Sequence, residues 1–371
     1  MSVGDGTFKQ VVTTLTATAS SFSSFGSMDA NGDGLTDSFH AYVNAGVMTI
    51  EVYLAQESGV FNQVVSKYSG FPTSYTYLGA MDINGDGKDD IIQQWKNGGY
   101  INFVSFISEG DGTFRTVMTG TSGTFGAYSI IPMDVNGDGK SDLLNVESTS
   151  SYVKIGVFLS LGDGTFIVKE SVYPIITSNE KYFSMDVNND GKQDLVQFTH
   201  LDDGRTGIET YISNGDGTFH TYIDTQFGPT STSSYTLSGS ALYGDVSYGV
   251  KTSDGTPVVG IIEEGSGTKY ACYLSKGDGS YTYRNETHST PSNTGTFLMT
   301  DLNGDGYSDA VKLVYISTPS ANEVMLWNYL AQDVCSFKTG ISSTFTLTNP
   351  FFNFNVYGFT SYNQLTVLKN C

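Results

Sequence analysis

The chain of 371 residues is short of positive charge, with 18 Lys and Arg against 38 Asp and Glu. Its formal charge of −20 excludes the usual electrostatic route to nucleic acid and to anionic membrane surfaces. Cysteine is scarce too. Cys272, Cys335 and Cys371 are all there is, so at most one internal disulfide can form and one thiol is left over. Cys371 can bridge to a second chain, giving a disulfide-linked oligomer, or stay idle; the count leaves both open. No apolar run reaches the roughly eighteen residues that a membrane-spanning helix needs, so no membrane insertion is expected. The first residues, Met1-Ser2-Val3-Gly4-Asp5-Gly6, lack the basic and apolar regions of a signal peptide. The expectation is an extracellular protein whose leader is removed or that leaves by another route, with cytoplasmic storage as the alternative. Of four histidines, His40, His200, His220 and His288, none stands in a nucleophile elbow or a zinc pattern.

What the chain does have is glycine (43), tyrosine (24) and phenylalanine (23). That mixture suits short strands joined by tight turns. A marker, Gly-Asp-Gly-Thr-Phe, occurs at 4–8, 110–114, 162–166 and 215–219, and again as Gly277-Asp278-Gly279-Ser280-Tyr281. Worn copies end at Phe61 and Phe337. The spacing sets a repeat of roughly fifty residues. The units run over 16–68, 69–121, 122–173, 174–226, 227–288 and 289–343, and a seventh is made of 344–371 with 1–15. An aromatic stands eight residues before each of the last six markers: Tyr53, Phe106, Phe158, Tyr211, Tyr273 and Tyr329. A fixed aromatic at a fixed place is expected to pack between neighbouring sheets. Each full unit shows four strand-like segments; in the third they are 127–133, 143–146, 154–160 and 166–171. Four short antiparallel strands repeated about seven times predict an all-β fold, a seven-bladed β-propeller closed by its N- and C-terminal strands, with six blades as the alternative.

Between the first two segments of most units lies an acidic loop. Asp134-Val135-Asn136-Gly137-Asp138-Gly139-Lys140-Ser141-Asp142 carries side-chain oxygens at positions one, three, five and nine and glycine at six. Hard cations such as Ca²⁺ take six to eight oxygen ligands, and a glycine without Cβ permits the sharp turn that brings them together. The same spacing recurs in Asp29, Asn31, Asp33 and Asp37; in Asp82, Asn84, Asp86 and Asp90; in Asp186, Asn188, Asp190 and Asp194; and in Asp301, Asn303, Asp305 and Asp309. Backbone carbonyls at position seven (Leu35, Lys88, Lys140, Lys192 and Tyr307) can add an oxygen. About five Ca²⁺ sites are expected. The unit at 227–288 has lost the spacing near 240–255, and no metal is expected there.

The Asp-x-Asn-x-Asp-Gly-x-x-Asp loop resembles the FG-GAP, or integrin-α-like, calcium-loop repeat, over most of the chain from Gly4 to about Leu368. That resemblance implies calcium bound structurally in the hairpin between the first and second strands of a blade. The family includes integrin heads, bacterial adhesins, polysaccharide lyase scaffolds and mushroom propeller lectins. In size and repeat the chain is most similar to the mushroom lectins, which implies a calcium-stabilised, multivalent carbohydrate-binding protein, with glycan partners of galactose or N-acetylhexosamine type and no catalytic residues. An integrin-like protein-binding adhesion head and a propeller-type polysaccharide lyase are the alternatives. Candidate sugar contacts come from a polar position in the second strand, His40, Gln93, Asn145, Gln197 and Lys312, and from residues two further on, Tyr42, Trp95, Glu147 and Thr199. Tyr42 and Trp95 offer stacking faces. The alternative is that these side chains line a wet channel. Trp327 is expected in the core. Asn285-Glu286-Thr287 is a glycosylation acceptor if the chain is secreted.

Overall fold

The computed structural model describes residues 23–70, 77–97, 100–124, 129–149, 151–174, 180–200, 206–224, 250–251, 257–264, 268–288, 296–300, 309–317, 322–333, 336–338, 340–347, 354–359 and 365–369. Every element among them is a strand. Sheet one is β1 (Ser23–Met28), β2 (Asp37–Asn44), β3 (Val47–Ala55) and β4 (Phe61–Ser69). Sheet two is β5 (Tyr77–Met81), β6 (Asp90–Asn97), β7 (Tyr100–Ser108) and β8 (Phe114–Thr124). Sheet three is β9 (Ser129–Met133), β10 (Asp142–Ser148), β11 (Tyr152–Ser160) and β12 (Phe166–Pro174). Sheet four is β13 (Glu180–Met185), β14 (Asp194–His200), β15 (Thr206–Ser213) and β16 (Phe219–Asp224). Sheet five is β17 (Val250–Lys251), β18 (Pro257–Glu264), β19 (Thr268–Ser275) and β20 (Tyr281–His288). The order within each follows the chain and the recorded pairings are antiparallel, which is the topology of a propeller blade.

Sheet six departs from that order. It comprises β21 (Thr296–Thr300), β22 (Asp309–Ser317), β23 (Asn322–Tyr329) and β26 (Ile341–Leu347). The worn marker between them forms a two-stranded ribbon of β24 (Ala331–Asp333) and β25 (Ser336–Phe337). β27 (Phe354–Phe359) pairs only with β28 (Leu365–Lys369). The described residues therefore hold six four-stranded sheets and not the seven expected. The N-terminal strand expected to complete a seventh lies outside them, as do the 240–249 and 252–256 stretches.

Sheets one to three, with β27 and β28, form one compact unit; most of sheets four to six forms another. The turn Ser213–Phe219 of sheet four belongs with the first. The cores lie between successive sheets. Met28, Phe39, Ile50 and Val52 of sheet one meet Ile91, Val104 and Phe106 of sheet two. Phe103 meets Phe158 of sheet three edge-on, with ring centroids 5.0 Å apart. Phe183, Val196 and Ile208 of sheet four pack on Tyr273 and Tyr281 of sheet five. The six aromatics before the markers are all buried, as their fixed spacing implies. The fourth strand alternates half-buried and exposed residues, as β4 and β12 show, and so faces solvent.

The markers at 110–114, 162–166, 215–219 and 277–281 are hairpin turns. Asp111 accepts the N–H and hydroxyl of Thr113 through Oδ1, and Glu109 N–H donates to the Thr113 carbonyl. Asp163 and Asp216 do the same for Thr165 and Thr218. Between sheets, Tyr68 of β4 grips the backbone of Phe114, donating to its carbonyl and accepting its N–H, both at 3.1 Å. Tyr173 holds Phe219 in the same way.

Candidate metal loops and the buried polar column

Four of the five acidic loops are described; Asp301 to Tyr307 of the fifth lie outside the described residues, and Asp309 at its end is buried. The four share one geometry. Position one accepts backbone N–H groups from the turn: Asp29 from Gly32 and Gly34, Asp82 from Gly85 and Gly87, Asp134 from Gly137 and Gly139, at 2.7–2.9 Å. Asp186 accepts from Asp190 and Gly191. The position-three amide oxygen accepts the N–H of position five, as Asn31, Asn84, Asn136 and Asn188 all do. The position-five carboxylate accepts the N–H of position seven, from Leu35, Lys88, Lys140 and Lys192. Gly34, Gly87, Gly139 and Gly191 have φ between 79° and 85°, a left-handed turn that disfavours residues with a Cβ. At position four, the fourth loop has Asn189 where the others have glycine, at φ 56°. Asparagine tolerates that conformation.

Position nine is different. Asp37 accepts Ala30 N–H on Oδ2 and Ala55 N–H on Oδ1. Asp90 accepts Ile83 and Ser108, and Asp142 accepts Val135 and Ser160. Asp194 accepts Val187 N–H at 3.0 Å. This buried carboxylate ties the loop's second residue to the end of the third strand. Burial pushes the pKa of Asp37, Asp90 and Asp142 up to about 7, against the pull of those N–H groups. The spacing gave position nine the same role as one, three and five. The structure shows a main-chain role for it, and each carboxylate oxygen keeps a second lone pair.

The donor set fits a hard cation. Each loop offers two carboxylates and an amide oxygen on its exposed side, and a cationic group already sits there in three of them. The ammonium of Lys88 pairs with Asp86, that of Lys140 with Asp138 at 2.6 Å, and that of Lys192 with Asp190 at 2.5 Å. Burial opposes ionisation of these aspartates, but the lysine and backbone donors outweigh it and lower their pKa. In the first loop Leu35 replaces the lysine, and Asn31 Nδ2 donates to Asp33 instead. Among the described residues no three His, Cys, Asp or Glu side chains converge as a ready-made metal-binding group. In this structure position nine is engaged by backbone N–H groups.

Neighbouring loops are joined. Asp89 N–H donates to the Asp29 carbonyl at 2.7 Å, and Asp29 N–H donates back to Asp89 Oδ2 at 2.8 Å. Ser141 N–H reaches the Asp82 carbonyl likewise. Burial, opposed by the Asp29 N–H, raises the Asp89 pKa. The repeat spacing alone held no signal for this link, because Asp89 falls between ligand positions.

The polar column of the second strands is inside the protein. His40, Gln93, Asn145, Gln197 and Lys312 are 0–1 % exposed. These side chains are shielded from solvent, where the alternative expectation had them lining a wet channel. His40 stacks on Phe25 with centroids 4.0 Å apart and faces Glu51. Glu51 also accepts the hydroxyls of Tyr53 and Tyr42, at 2.7 and 3.1 Å. Burial lowers the His40 pKa, with Glu51 opposing. In sheet four Tyr211 donates to Gln197 Oε1 at 3.0 Å. Glu51 was not singled out from the sequence, though an acid two residues before the fixed tyrosine, repeated as Glu209, is the signal for it. Two residues further along, burial eases: Tyr42 is still buried, but Trp95 and Glu147 are half-buried. The side chain of Thr199 lies outside the described residues. Trp327 is half-buried on β23 and donates to Met325 Sδ. The side chains of Asn285 and Cys272, and all of Cys335 and Cys371, are outside them as well.

No family model and no curated protein matches the chain. Among solved structures it is similar to AofleA from Arthrobotrys oligospora, at 10% identity and TM-score 0.44, covering 88% of each chain. It is also similar to the Aleuria aurantia lectin, described as a six-bladed β-propeller with a novel fucose recognition mode, at 11% identity and TM-score 0.32, covering 81% of this chain and 93% of that one. A third is a putative 6-phosphogluconolactonase from Bacteroides fragilis, at 12% identity and TM-score 0.37, covering 85% and 97%. Likenesses this remote leave the function to be argued from the chain's own residues.

Proposed function

We propose that the chain is a calcium-clamped, multivalent carbohydrate-binding protein whose units close into a propeller ring of seven blades. The observation that carries this reading is the repetition of one oxygen-rich loop in one conformation at the same place in four successive sheets. Asp, Asn and Asp at positions one, three and five would hold the ion, with position nine and the position-seven carbonyl completing the shell. Bound calcium would neutralise crowded carboxylates and pin the first hairpin of each blade. Successive blades then present matching strand ends with different side chains, so several weak sites add as avidity.

Burial of His40, Gln93, Asn145 and Gln197 moves the sugar contact along the strand to the hairpin end, where Trp95 is half-buried, packed in part against the core between sheets one and two. An indole face suits the C–H surface of a pyranose, and Glu147 at the matching place in sheet three suits its hydroxyls. Galactose and N-acetylhexosamine glycans are the first ligands to try, fucose the next. The test is a glycan array with and without calcium, run on the unaltered protein and on Trp95→Ala. Binding that needs calcium and weakens in the variant supports the reading. A blank array, together with cell agglutination that no simple sugar blocks, sinks it in favour of a protein-binding head.

A further inference from the structure

One residue in each of sheets two to five reaches across to the acidic loop of the sheet before it. Ser108 ends β7. Its N–H donates to Asp90 of its own loop, and its hydroxyl donates to the carbonyl of Ala30, position two of the preceding loop, at 2.6 Å. Ser160 links Asp142 to Ile83 in the same way. Ser213 and Ser275 donate to the carbonyls of Val135 and Val187, at 2.6 and 2.5 Å. Each hydroxyl oxygen accepts the N–H of the glycine two residues on, Gly110, Gly162, Gly215 and Gly277. Position two of every described loop is thus fixed at both backbone groups. Position nine of its own loop takes the N–H, and the next sheet's serine supplies the donor to the C=O. Position two lies between the first two ligand positions, so fixing it fixes where those side chains start.

The sequence carries an independent trace of this link. The serine stands six residues before the marker aromatic in units two to five, and each of those units follows one with an acidic loop. At the same place unit one has Ala55 and unit six has Ala331. Unit six follows the unit whose loop is missing, and in the proposed ring unit one follows the seventh, 344–371, which carries no acidic loop. The hydroxyl occurs where there is a loop to hold and is absent where there is none. Ala55 keeps the N–H bond to Asp37 at 2.7 Å, so the backbone role does not require it.

We propose that Ser108, Ser160, Ser213 and Ser275 are positioning residues for the divalent-cation loop of the preceding sheet, holding its first two ligands in place from across the sheet interface. The proposal rests on the calcium reading above. Its test is site-resolved occupancy. Crystals of the full chain are equilibrated with limiting terbium, an oxygen-seeking stand-in for calcium, and each loop's occupancy is refined from anomalous scattering. Ser108→Ala lowers occupancy in the Asp29–Asp37 loop alone, with affinity about three- to tenfold weaker for one lost hydrogen bond. Ser160→Ala does so in the Asp82–Asp90 loop alone, and Ala55→Ser changes nothing. Alanine occurs natively at 55 and 331, so the substitutions suit the fold. Unchanged occupancy, equal loss at every loop, or loss in the serine's own sheet overturns the proposal while leaving the calcium reading intact. Loops without ions in the unaltered protein at saturating terbium overturn both.

Discussion

The two ends of each second strand obey different rules. At the loop end β2, β6, β10 and β14 all begin with aspartate, buried and accepting backbone N–H groups. At the hairpin end the same strands carry Tyr42, Trp95, Glu147 and Thr199. A buried backbone N–H must find an acceptor, and at the loop end only a short carboxylate reaches two of them at once. The hairpin end is held by the ladder itself, and its side chains, of which Trp95 and Glu147 are half-buried, differ from unit to unit. Sameness between units marks what the fold requires. Difference marks where binding chemistry can be placed.

Four experiments sharpen or break that contrast. The largest effect is expected from chelation. One site at a hundred times its dissociation constant adds about 2.7 kcal/mol, and several loops act together. Removing calcium should lower the melting temperature by more than about ten degrees in a calorimetric scan; an unchanged melt separates the loops from stability altogether. Next, Asp142→Ala strands two buried N–H groups, those of Val135 and Ser160, and should cost about 3 kcal/mol in urea unfolding. Glu147→Ala, five residues along β10, should stay within about 0.5 kcal/mol. Equal costs would erase the difference between the two ends.

Smaller effects concern bonds between strands and sheets. Tyr68→Phe removes the grip on Phe114 and should cost about 1 kcal/mol, read as a shifted urea midpoint. Smallest is the pH response of His40. Burial lowers its folded pKa below the ordinary 6.5, so the unfolded chain takes up the proton first. The stability it contributes is present above about 6.5 and is lost as pH falls through that value towards the depressed folded pKa. Stability between pH 7 and 5 should slope less in His40→Gln, with Glu51, Tyr42 and Tyr53 left in place around it. An identical slope would assign the acid response to other groups.

Much of the architecture is legible in the residues. The marker aromatics, the four segments of unit three and the left-handed glycine at loop position six all follow from local chemistry, which needs no partner sheet. The third unit's strands begin within two residues of expectation; the first and third end where expected, and the second and fourth run on to Ser148 and Pro174. What could not be read depends on a neighbour. His40, Gln93 and Asn145 sit on second strands that are buried on both faces, and only the adjacent sheet decides whether such a position lines a channel or a core. In the sixth unit the marker strand is short, with Phe337 paired to Ala331, and Ile341–Leu347 carries the pairing with β23. The described residues hold six four-stranded sheets; a seventh blade shared between the two chain ends would have no local signature of its own, and its expected N-terminal strand lies outside them.

The bonds between successive sheets are head-to-tail: tyrosine and loop carbonyls on one side, marker backbone and serine hydroxyls on the other. Cutting out one whole unit, or copying one in tandem, splices together surfaces that already match. A gene encoding such a chain can therefore change its number of modules by duplication or loss without inventing a new junction.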